Sequence, residues 1–229
     1  MSLVKSEGNV KRPYRSTLRS DQARGTRRAL LEAATQLFAD RGYSATSVEE
    51  IAAAAGVSRA TVFTAVGGKP ALLKAAYDLA LVGDDLPVPL VERERSIAIR
   101  QEPDARRYLD LYAELAAESY GRVARVSEVV REAAGADPEA RALYEKMQQE
   151  RLVGARHIVG DVEAKGGLRP GLRTSDAIDV VWTLMEPSLY VRLVHQRGWS
   201  PRRFAAWWAA TLQAQLLPTG SSSRRSGPG

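Results

Sequence analysis

Two consecutive hydroxyl–carboxylate pairs constrain residues 46–69 more than any other feature constrains this chain. Thr46 is followed three residues later by Glu49, and Ser47 is followed at the same spacing by Glu50. In each pair the hydroxyl and the carboxylate can satisfy backbone amides at the start of a helix. A helix is therefore predicted to begin at Thr46 or Ser47.

A glycine turn and a second short helix are predicted to follow. Gly56 lies where the first helix must stop, and glycine adopts a left-handed backbone at little cost. Ser58 can cap the next helix, which is predicted from about residue 59 to 65. Ile51 and Val62 are spaced to pack between the two helices as they cross. This arrangement is typical of a helix-turn-helix, which places its second helix in the DNA major groove.

A second interpretation of the segment is a helical hairpin inside a bundle core. Alanine-rich stretches such as residues 52–55 are common in hairpins of that kind. The agreement of caps, turn and core spacing favours DNA recognition instead. The flanks support it, because residues 26–41 place apolar side chains on one helical face and Pro70 suits the first turn of a further helix over 70–82.

The segment and its flanks share a series of residues with one known family. The shared residues are Ala33-Ala34, Leu37-Phe38, Gly42-Tyr43, Thr46-Ser47-Val48, Ile51-Ala52, Ala55-Gly56-Val57-Ser58, Thr61, Lys69 and Leu72-Leu73. Through them, residues 28–73 resemble the DNA-binding domain of the tetracycline-repressor (TetR) family of bacterial regulators. The resemblance implies three DNA-binding helices and a fourth that links them to a helical domain, which senses a small molecule and forms a dimer. A weaker resemblance to the last two helices of some members lies at Leu189-Tyr190, Gly198-Trp199-Ser200 and Trp207.

The second helix of the unit is predicted to present its polar and small side chains to the groove. Arg59 can read guanine through two hydrogen bonds, and Ala60 or the threonine methyls can touch thymine methyl groups. Thr46 or Ser47 is expected to hold a phosphate, and so is Lys69. The full set of DNA-binding candidates is Arg27, Thr46, Ser47, Ser58, Arg59, Ala60, Thr61, Phe63, Thr64 and Lys69.

The end of this helix departs from the family pattern. The family usually has tyrosine, any residue, histidine or tyrosine, and then phenylalanine, whereas residues 63–66 of this chain read Phe-Thr-Ala-Val. Phe63 has no hydroxyl and Ala65 has no imidazole. Two customary phosphate donors are therefore missing, and phosphate contacts fix the register of a protein on DNA.

The N-terminal segment offers a compensation. Residues 1–28 contain eight Lys or Arg and two acidic residues, a net charge of +6. A flexible basic arm over residues 1–24 can follow the DNA backbone or enter the minor groove. An ordinary solvated terminus is the alternative, because basic tails are common.

The composition narrows the function classes. The chain has no cysteine, which excludes disulfides, thiolate metal sites and cysteine nucleophiles. His157 and His195 have no partner at ligand spacing, so we expect neither a metal nor a cofactor. No apolar run reaches the roughly 18 residues that span a membrane, and no signal peptide is readable, so a cytoplasmic protein is expected. No catalytic constellation is present, and we expect no enzyme.

An all-α fold is predicted, because alternating β-branched runs are absent. Residues 25–84 are assigned to the DNA-binding domain, with the helix-turn-helix at 48–67, and residues 85–217 to a helical ligand-binding and dimerisation domain. In that second domain helices are predicted at 91–100, 104–120, 122–134, 138–165, 174–196 and 200–217. Residues 218–229 are rich in Gly, Ser and Pro and are predicted to be disordered.

The second domain contains candidates for an effector pocket and for a dimer interface. The pocket candidates are Tyr108, Tyr112, Met147, Arg151, Trp182, Met185, Glu186 and Tyr190. The interface candidates are Val180, Leu184, Val191, Trp207 and Trp208. Glu186 stands in an apolar segment, so its burial requires a partner such as Arg151 or Arg192. It is either a polar anchor for an effector or one half of a structural ion pair.

Together these features predict a homodimeric transcriptional repressor on a palindromic double-stranded DNA operator, released by a small, largely apolar effector. The alternative is a helical dimer with a weakened DNA-reading helix that acts through a protein partner. Phe63 and Ala65 motivate that alternative.

Overall fold

The computed structural model describes residues 11–83 and 90–218, and for residues 11–20 the backbone alone. Every regular element in these ranges is helical, which confirms the all-α prediction. The helices are α1 Lys11–Arg41, α2 Val48–Ala54, α3 Arg59–Ala65, α4 Lys69–Val82, α5 Glu94–Gln101, α6 Ala105–Ala133, α7 Pro138–Ala164, α8 Thr174–Leu184, α9 Pro187–Tyr190 and α10 Pro201–Leu216. A 3-10 turn at Leu90–Glu92 precedes α5, and a π-helical turn at Val191–Gln196 follows α9. None of these helices is both long and apolar enough to cross a membrane.

The chain divides into two compact units, and the division falls inside α4. The first unit ends at Ala76 and the second begins at Tyr77. The sequence analysis placed the boundary about eight residues later, at the end of this helix. Because α4 is one uninterrupted helix, its first half belongs to the DNA-binding unit and its second half to the larger unit.

The first unit is built from the apolar positions that the sequence marked. Apolar side chains from α1, α2 and α3 are buried: Leu30, Leu31, Ala34, Phe38, Ile51, Ala52 and Val62. On α1 these residues recur at three- and four-residue spacing, which is the repeat of one helical face. The packing of α1 against α2 and α3 therefore follows from the pattern of residues 30–62.

The start of α1 differs from the prediction. A flexible arm was expected over residues 1–24, but the backbone is helical from Lys11. Arginine favours helices, Pro13 falls in the first turn where proline is tolerated, and Gly25 inside a helix costs only about 1 kcal/mol. The arm prediction is therefore wrong for residues 11–24. Residues 1–10 lie outside the described residues.

In the second unit, α6 is longer than predicted, and the last predicted helix but one is divided into shorter helices. A break was expected near Gly121, but α6 runs through it. A Cβ at Gly121 would lie 3.2 Å from the Tyr190 hydroxyl, so this glycine allows close packing and does not end the helix. The single helix predicted over 174–196 is instead interrupted at Met185 and Glu186, before Pro187. Proline has no amide hydrogen to continue the helical hydrogen bonds.

An aromatic cluster forms the centre of the second unit. The Trp208 ring stacks on Tyr112 with centroids 5.7 Å apart, and Tyr120 meets Phe204 and Trp208 edge-on. The Trp208 indole N–H donates to the Leu184 carbonyl over 2.7 Å. This pairing satisfies the polar atom of a fully buried indole, so α6, α8 and α10 are held together without an unpaired donor. The predicted domain boundary at residues 84 and 85 lies outside the described residues, and so does the predicted disordered segment from residue 219 onward.

Candidate nucleic-acid interface and effector cavity

The first helix of the helix-turn-helix begins with the predicted capping box. The Glu50 amide donates to the Ser47 hydroxyl oxygen over 3.1 Å, and the Ser47 amide donates to the Glu50 carboxylate over 2.8 Å. These bonds lower the pKa of Glu50, mainly through the Ser47 amide, with a smaller contribution from the Arg41 guanidinium 2.9 Å away. The start of α2 is therefore fixed by Ser47, as one of the two predicted pairs required.

Thr46 has a different role from the predicted one. Its side chain is buried, and its hydroxyl lies 2.9 Å from the Gly42 carbonyl and 3.2 Å from the Leu37 carbonyl. Leu37 lies near the end of α1, and Gly42 directly follows its last residue. The Thr46 hydroxyl therefore forms its hydrogen bonds at the end of α1 and does not face solvent. The expectation that Thr46 holds a DNA phosphate is wrong.

The recognition helix α3 begins at the predicted cap and exposes one face. Gly56 has a φ of +68° in the turn, and the Thr61 amide donates to the Ser58 hydroxyl oxygen over 3.1 Å. Of the residues in α3, Val62 alone is fully buried. Arg59, Ala60 and Thr64 are exposed, together with Phe63. These side chains are therefore available to DNA bases.

Hydrogen bonds within α3 restrict what its threonines can offer. The Thr61 and Ser58 hydroxyls lie 2.8 Å apart, and the Thr64 hydroxyl lies 3.1 Å from both the Ala60 and the Thr61 carbonyl. The Thr64 hydroxyl proton is thereby used locally, and so is the proton of either Ser58 or Thr61. The methyl groups of these threonines remain the part suited to thymine.

Arg59 is held on two sides. Its Nε lies 3.0 Å from a carboxylate oxygen of Glu49 on α2, and its guanidinium carbon lies 5.4 Å from the centre of the Phe63 ring. Arg59 and Phe63 were predicted as DNA-binding residues from the sequence, but Glu49 was not. No local pattern indicates this contact, because it joins two helices across the turn.

Two further candidates make contacts inside the protein. Arg27 Nη1 donates over 2.8 Å to the carbonyl of Ala65, the last residue of α3. The Lys69 ammonium lies 4.3 Å above the Tyr43 ring. Arg27 thus satisfies a free helix-end carbonyl and fixes the end of the recognition helix, a function that the sequence did not indicate.

A cavity of about 250 Å³ lies within the second unit. Five of the eight predicted pocket residues line it: Tyr112, Met147, Arg151, Met185 and Glu186. The wall also includes residues that the sequence analysis did not select, among them Tyr77, Leu81, Tyr120, Tyr144 and Gln148. Tyr77 and Leu81 were missed because the whole of α4 was assigned to the DNA-binding domain.

The polar centre of this wall is an ion pair. Arg151 Nη1 donates to Glu186, and its Nη2 donates to the Gln148 amide oxygen over 2.5 Å. The guanidinium also lies 4.6 Å above the Trp182 ring, and only 11% of the arginine side chain is exposed. The predicted need of Glu186 for a partner is therefore confirmed, with Arg151 as that partner.

Three of the tyrosines that line the cavity have a raised pKa. Burial raises the pKa of Tyr112 to about 12 and raises the pKa of Tyr77 and of Tyr120 further. The Tyr120 hydroxyl donates to the Met185 carbonyl over 2.9 Å, beside the break between α8 and α9. The cavity wall thus combines tyrosine and apolar side chains with the Arg151–Glu186 ion pair, and the charged residues Glu128, Arg131 and Glu150 also line it.

Three predicted pocket residues do not line this cavity. The Tyr108 hydroxyl donates to Asp161 over 2.9 Å, and Trp182 lies behind Arg151. Tyr190 lines a separate groove of about 930 Å³ between α6 and α10. Helical spacing identified these residues as inward-facing but did not distinguish the cavity from the solid core.

Comparison with known proteins agrees with this geometry. Residues 30–76 match the family described as bacterial regulatory proteins, tetR family. Residues 30–76 are a DNA-binding domain of the TetR family. The chain is therefore a DNA-binding transcriptional regulator.

Individual relatives of this chain extend the comparison. An uncharacterised HTH-type transcriptional regulator of Bacillus subtilis (strain 168), YdeS, is 27% identical over 162 residues, which are 69% of this chain and 75% of that protein. The HTH-type transcriptional repressor Rv3405c of Mycobacterium tuberculosis (strain ATCC 25618 / H37Rv) is 39% identical over 71 residues, 28% of this chain and 38% of that protein. The structure of FadR from Bacillus subtilis in complex with stearoyl-CoA matches with a TM-score of 0.62 at 16% identity, over 80% of this chain and 96% of that chain. At that identity the structural match shows a common fold alone.

The structure of the second unit places the predicted interface residues in two groups. Trp208 and Val191 are buried within a single chain, so the expectation that they form a dimer interface is wrong. Val180, Leu184 and Trp207 remain partly exposed on α8 and α10. Trp208 is buried because its ring fills the aromatic core, as its stacking on Tyr112 shows.

Proposed function

We propose that this regulator is a homodimeric repressor, bound to a palindromic operator and released from it by a small, largely apolar effector in the cavity of the second unit. The observation that carries the proposal is the position of α4. Tyr77 and Leu81 of this helix line the cavity, and the same helix continues into the DNA-binding unit. A ligand that moves these two side chains acts on the helix that follows the recognition helix.

The exposed face of α3 supports the DNA part of the proposal. Arg59 can donate to both guanine acceptors in the major groove, and Ala60 can contact a thymine methyl. Ser47 and Lys69 remain the phosphate candidates, whereas Thr46 does not. The relative Rv3405c is named a repressor, which favours repression over activation.

The cavity supports the effector part. Its volume of about 250 Å³ is below the roughly 300–1,000 Å³ of drug-sized pockets, so a small effector is expected. Four tyrosines, two methionines and several aliphatic side chains line it, and the tyrosine hydroxyls can supply hydrogen bonds. A structural neighbour, FadR from Bacillus subtilis, is in complex with stearoyl-CoA, so this fold can accommodate a ligand that carries a long apolar chain.

Release requires that the effector bind one conformation of the regulator more tightly than the other. Two recognition helices read half-sites about one helical turn apart, so a change in their separation lowers operator affinity. The partly exposed Val180, Leu184 and Trp207 are the candidates for the surface that joins the two chains.

Selection from a pool of random DNA duplexes tests this function. The purified full-length protein is expected to enrich a palindromic sequence, and the Arg59→Ala/Thr61→Ala variant is expected not to. The enriched duplex then reports on effectors, because a library of small apolar compounds should contain members that release it. Equal, unselective retention of DNA by both proteins would refute the proposal and favour action through a protein partner.

A further inference from the structure

The contact between Glu49 and Arg59 joins the two helices of the helix-turn-helix on the surface that faces DNA. The Arg59 Nε lies 3.0 Å from the Glu49 carboxylate, and the side chains are 63% and 58% exposed. Ion pairs this exposed contribute little to stability. A carboxylate near bound DNA also repels phosphates. A contribution to folding alone therefore does not explain why an acidic residue stands at position 49.

The atoms involved leave one edge of the arginine free. A guanidinium presents Nε with one Nη along its side and the two Nη atoms at its end. The Glu49 carboxylate lies against Nε as an ion pair, so the end-on Nη pair is the edge available to bases. Guanine offers two acceptors, O6 and N7, in the major groove, and arginine binds them through two parallel N–H groups.

Phe63 restricts the same side chain from a second direction. It follows Arg59 by one helical turn, and its ring centre lies 5.4 Å from the guanidinium carbon, within the distance of a cation–π contact. The ring is exposed, so it is available to support the guanidinium at the DNA surface. A long, flexible arginine held at two points loses less freedom when it binds a base.

We propose that Glu49 and Phe63 are specificity-determining positioning residues, which hold Arg59 with its two Nη atoms directed at one guanine of each half-site. This inference rests on the proposed sequence-specific DNA binding. Two consequences follow for Glu49. Its carboxylate improves discrimination at that base pair, and it lowers affinity for DNA of any sequence because it is negatively charged.

The test compares Glu49→Gln with the native protein on three duplexes. These are the selected operator, the operator with the guanine read by Arg59 replaced by adenine, and a scrambled duplex. That guanine is the position at which Arg59→Ala loses its preference. The native protein is expected to prefer guanine at least tenfold, and Glu49→Gln is expected to lose at least threefold of that preference. Its affinity for the scrambled duplex is expected to rise.

Matched variants separate positioning from general charge. Glu32→Gln removes another exposed carboxylate, paired with Arg28 on α1, and should leave the preference for guanine unchanged. Phe63→Leu keeps an apolar side chain without the aromatic face and should reduce the preference. In an Arg59→Ala background, Glu49→Gln should change discrimination no further, because the residue it positions is absent.

The inference would be overturned if Glu49→Gln kept the native preference for guanine. It would also be overturned if Glu49→Gln reduced discrimination equally with and without Arg59. Either result would leave the proposed function intact. Absence of any sequence preference in the native protein would overturn both. Thermal unfolding of each variant confirms that the compared proteins are folded.

Discussion

Single side chains decide how α3 is presented to DNA. Ser58 fixes its first turn, Arg27 fixes its last carbonyl, and Glu49 with Phe63 holds Arg59 between them. Each contact acts on a different part of a seven-residue helix. A helix this short is marginal by itself in water, so contacts from outside must define where it begins and ends.

Restoring the customary hydroxyl at position 63 is expected to tighten DNA binding. Phe63→Tyr keeps the ring beside Arg59 and adds one donor for a phosphate, worth roughly 0.5–1.5 kcal/mol, or a two- to tenfold lower Kd. Fluorescence anisotropy with labelled operator measures the change. Because phosphate contacts carry no sequence information, the scrambled duplex should show a similar gain. A gain confined to the operator would contradict this explanation.

The bond from Arg27 to Ala65 predicts a stability effect. Arg27→Met keeps the apolar stem and leaves the end of α3 without its donor, so the free energy of unfolding should fall by about 1–2 kcal/mol. Arg24→Met is the control. Arg24 pairs with Asp21 on the surface of α1, and its loss should cost at most about 0.5 kcal/mol. Equal urea midpoints for the two variants would show that the contact with Ala65 does not stabilise the unit.

At the scale of elements, breaks and close approaches place the helices. Gly56 turns the chain between α2 and α3 in a left-handed conformation, whereas Gly121 lies inside α6 and admits the Tyr190 hydroxyl. The break before Pro187 separates α8 from α9, and it brings Glu186 to the cavity wall beside Arg151. Glycine therefore turns the chain between two helices at position 56 and allows close packing inside a helix at position 121.

Two glycine substitutions should change stability in opposite directions. Gly56→Ala places a side chain at φ +68° and should cost about 1–2 kcal/mol, although no atom obstructs the added methyl group. Gly160→Ala lies inside α7 with open space around it and should stabilise by about 0.5–1 kcal/mol. Thermal unfolding monitored by circular dichroism measures both. A loss of stability in both variants would show that the left-handed backbone is not the cause.

At the scale of the whole molecule, two compact units share one continuous helix. The first contains the DNA-reading surface, and the second contains an aromatic cavity with a compensated ion pair. The proposed release by an effector requires that a change in the second unit alter the first, and α4 is the covalent path between them. Tyr77 and Leu81 are residues of that helix that line the cavity.

The proposed assembly predicts the effect of a charge on α10. Trp207→Arg should weaken dimerisation at least tenfold, because a charged group would have to be buried between two chains. Val153→Arg is the control, since Val153 is an exposed apolar residue of α7 outside the predicted interface. Sedimentation velocity at micromolar concentration should show a monomer for the first variant and a dimer for the second. A dimer that is unaffected by Trp207→Arg would place the interface elsewhere.

The sequence by itself determined the features that depend on neighbours within about four residues. The capping box of Ser47 and Glu50, the turn at Gly56 and the cap at Ser58 are local, so the helix-turn-helix could be predicted in detail. Tertiary structure decided the contacts between residues far apart in the chain. Arg27 lies 38 positions from Ala65, and Arg151 lies 35 positions from Glu186.

The same division explains the corrections. Thr46 was expected at the DNA surface and Trp208 at a dimer interface, and both are buried inside the chain. Whether the side chain at a given helical position faces inward or outward depends on which other element packs there. No local pattern contains that information. The sequence therefore determined which residues form the helices that read DNA, and the tertiary structure decided which of their side chains remain free to do so.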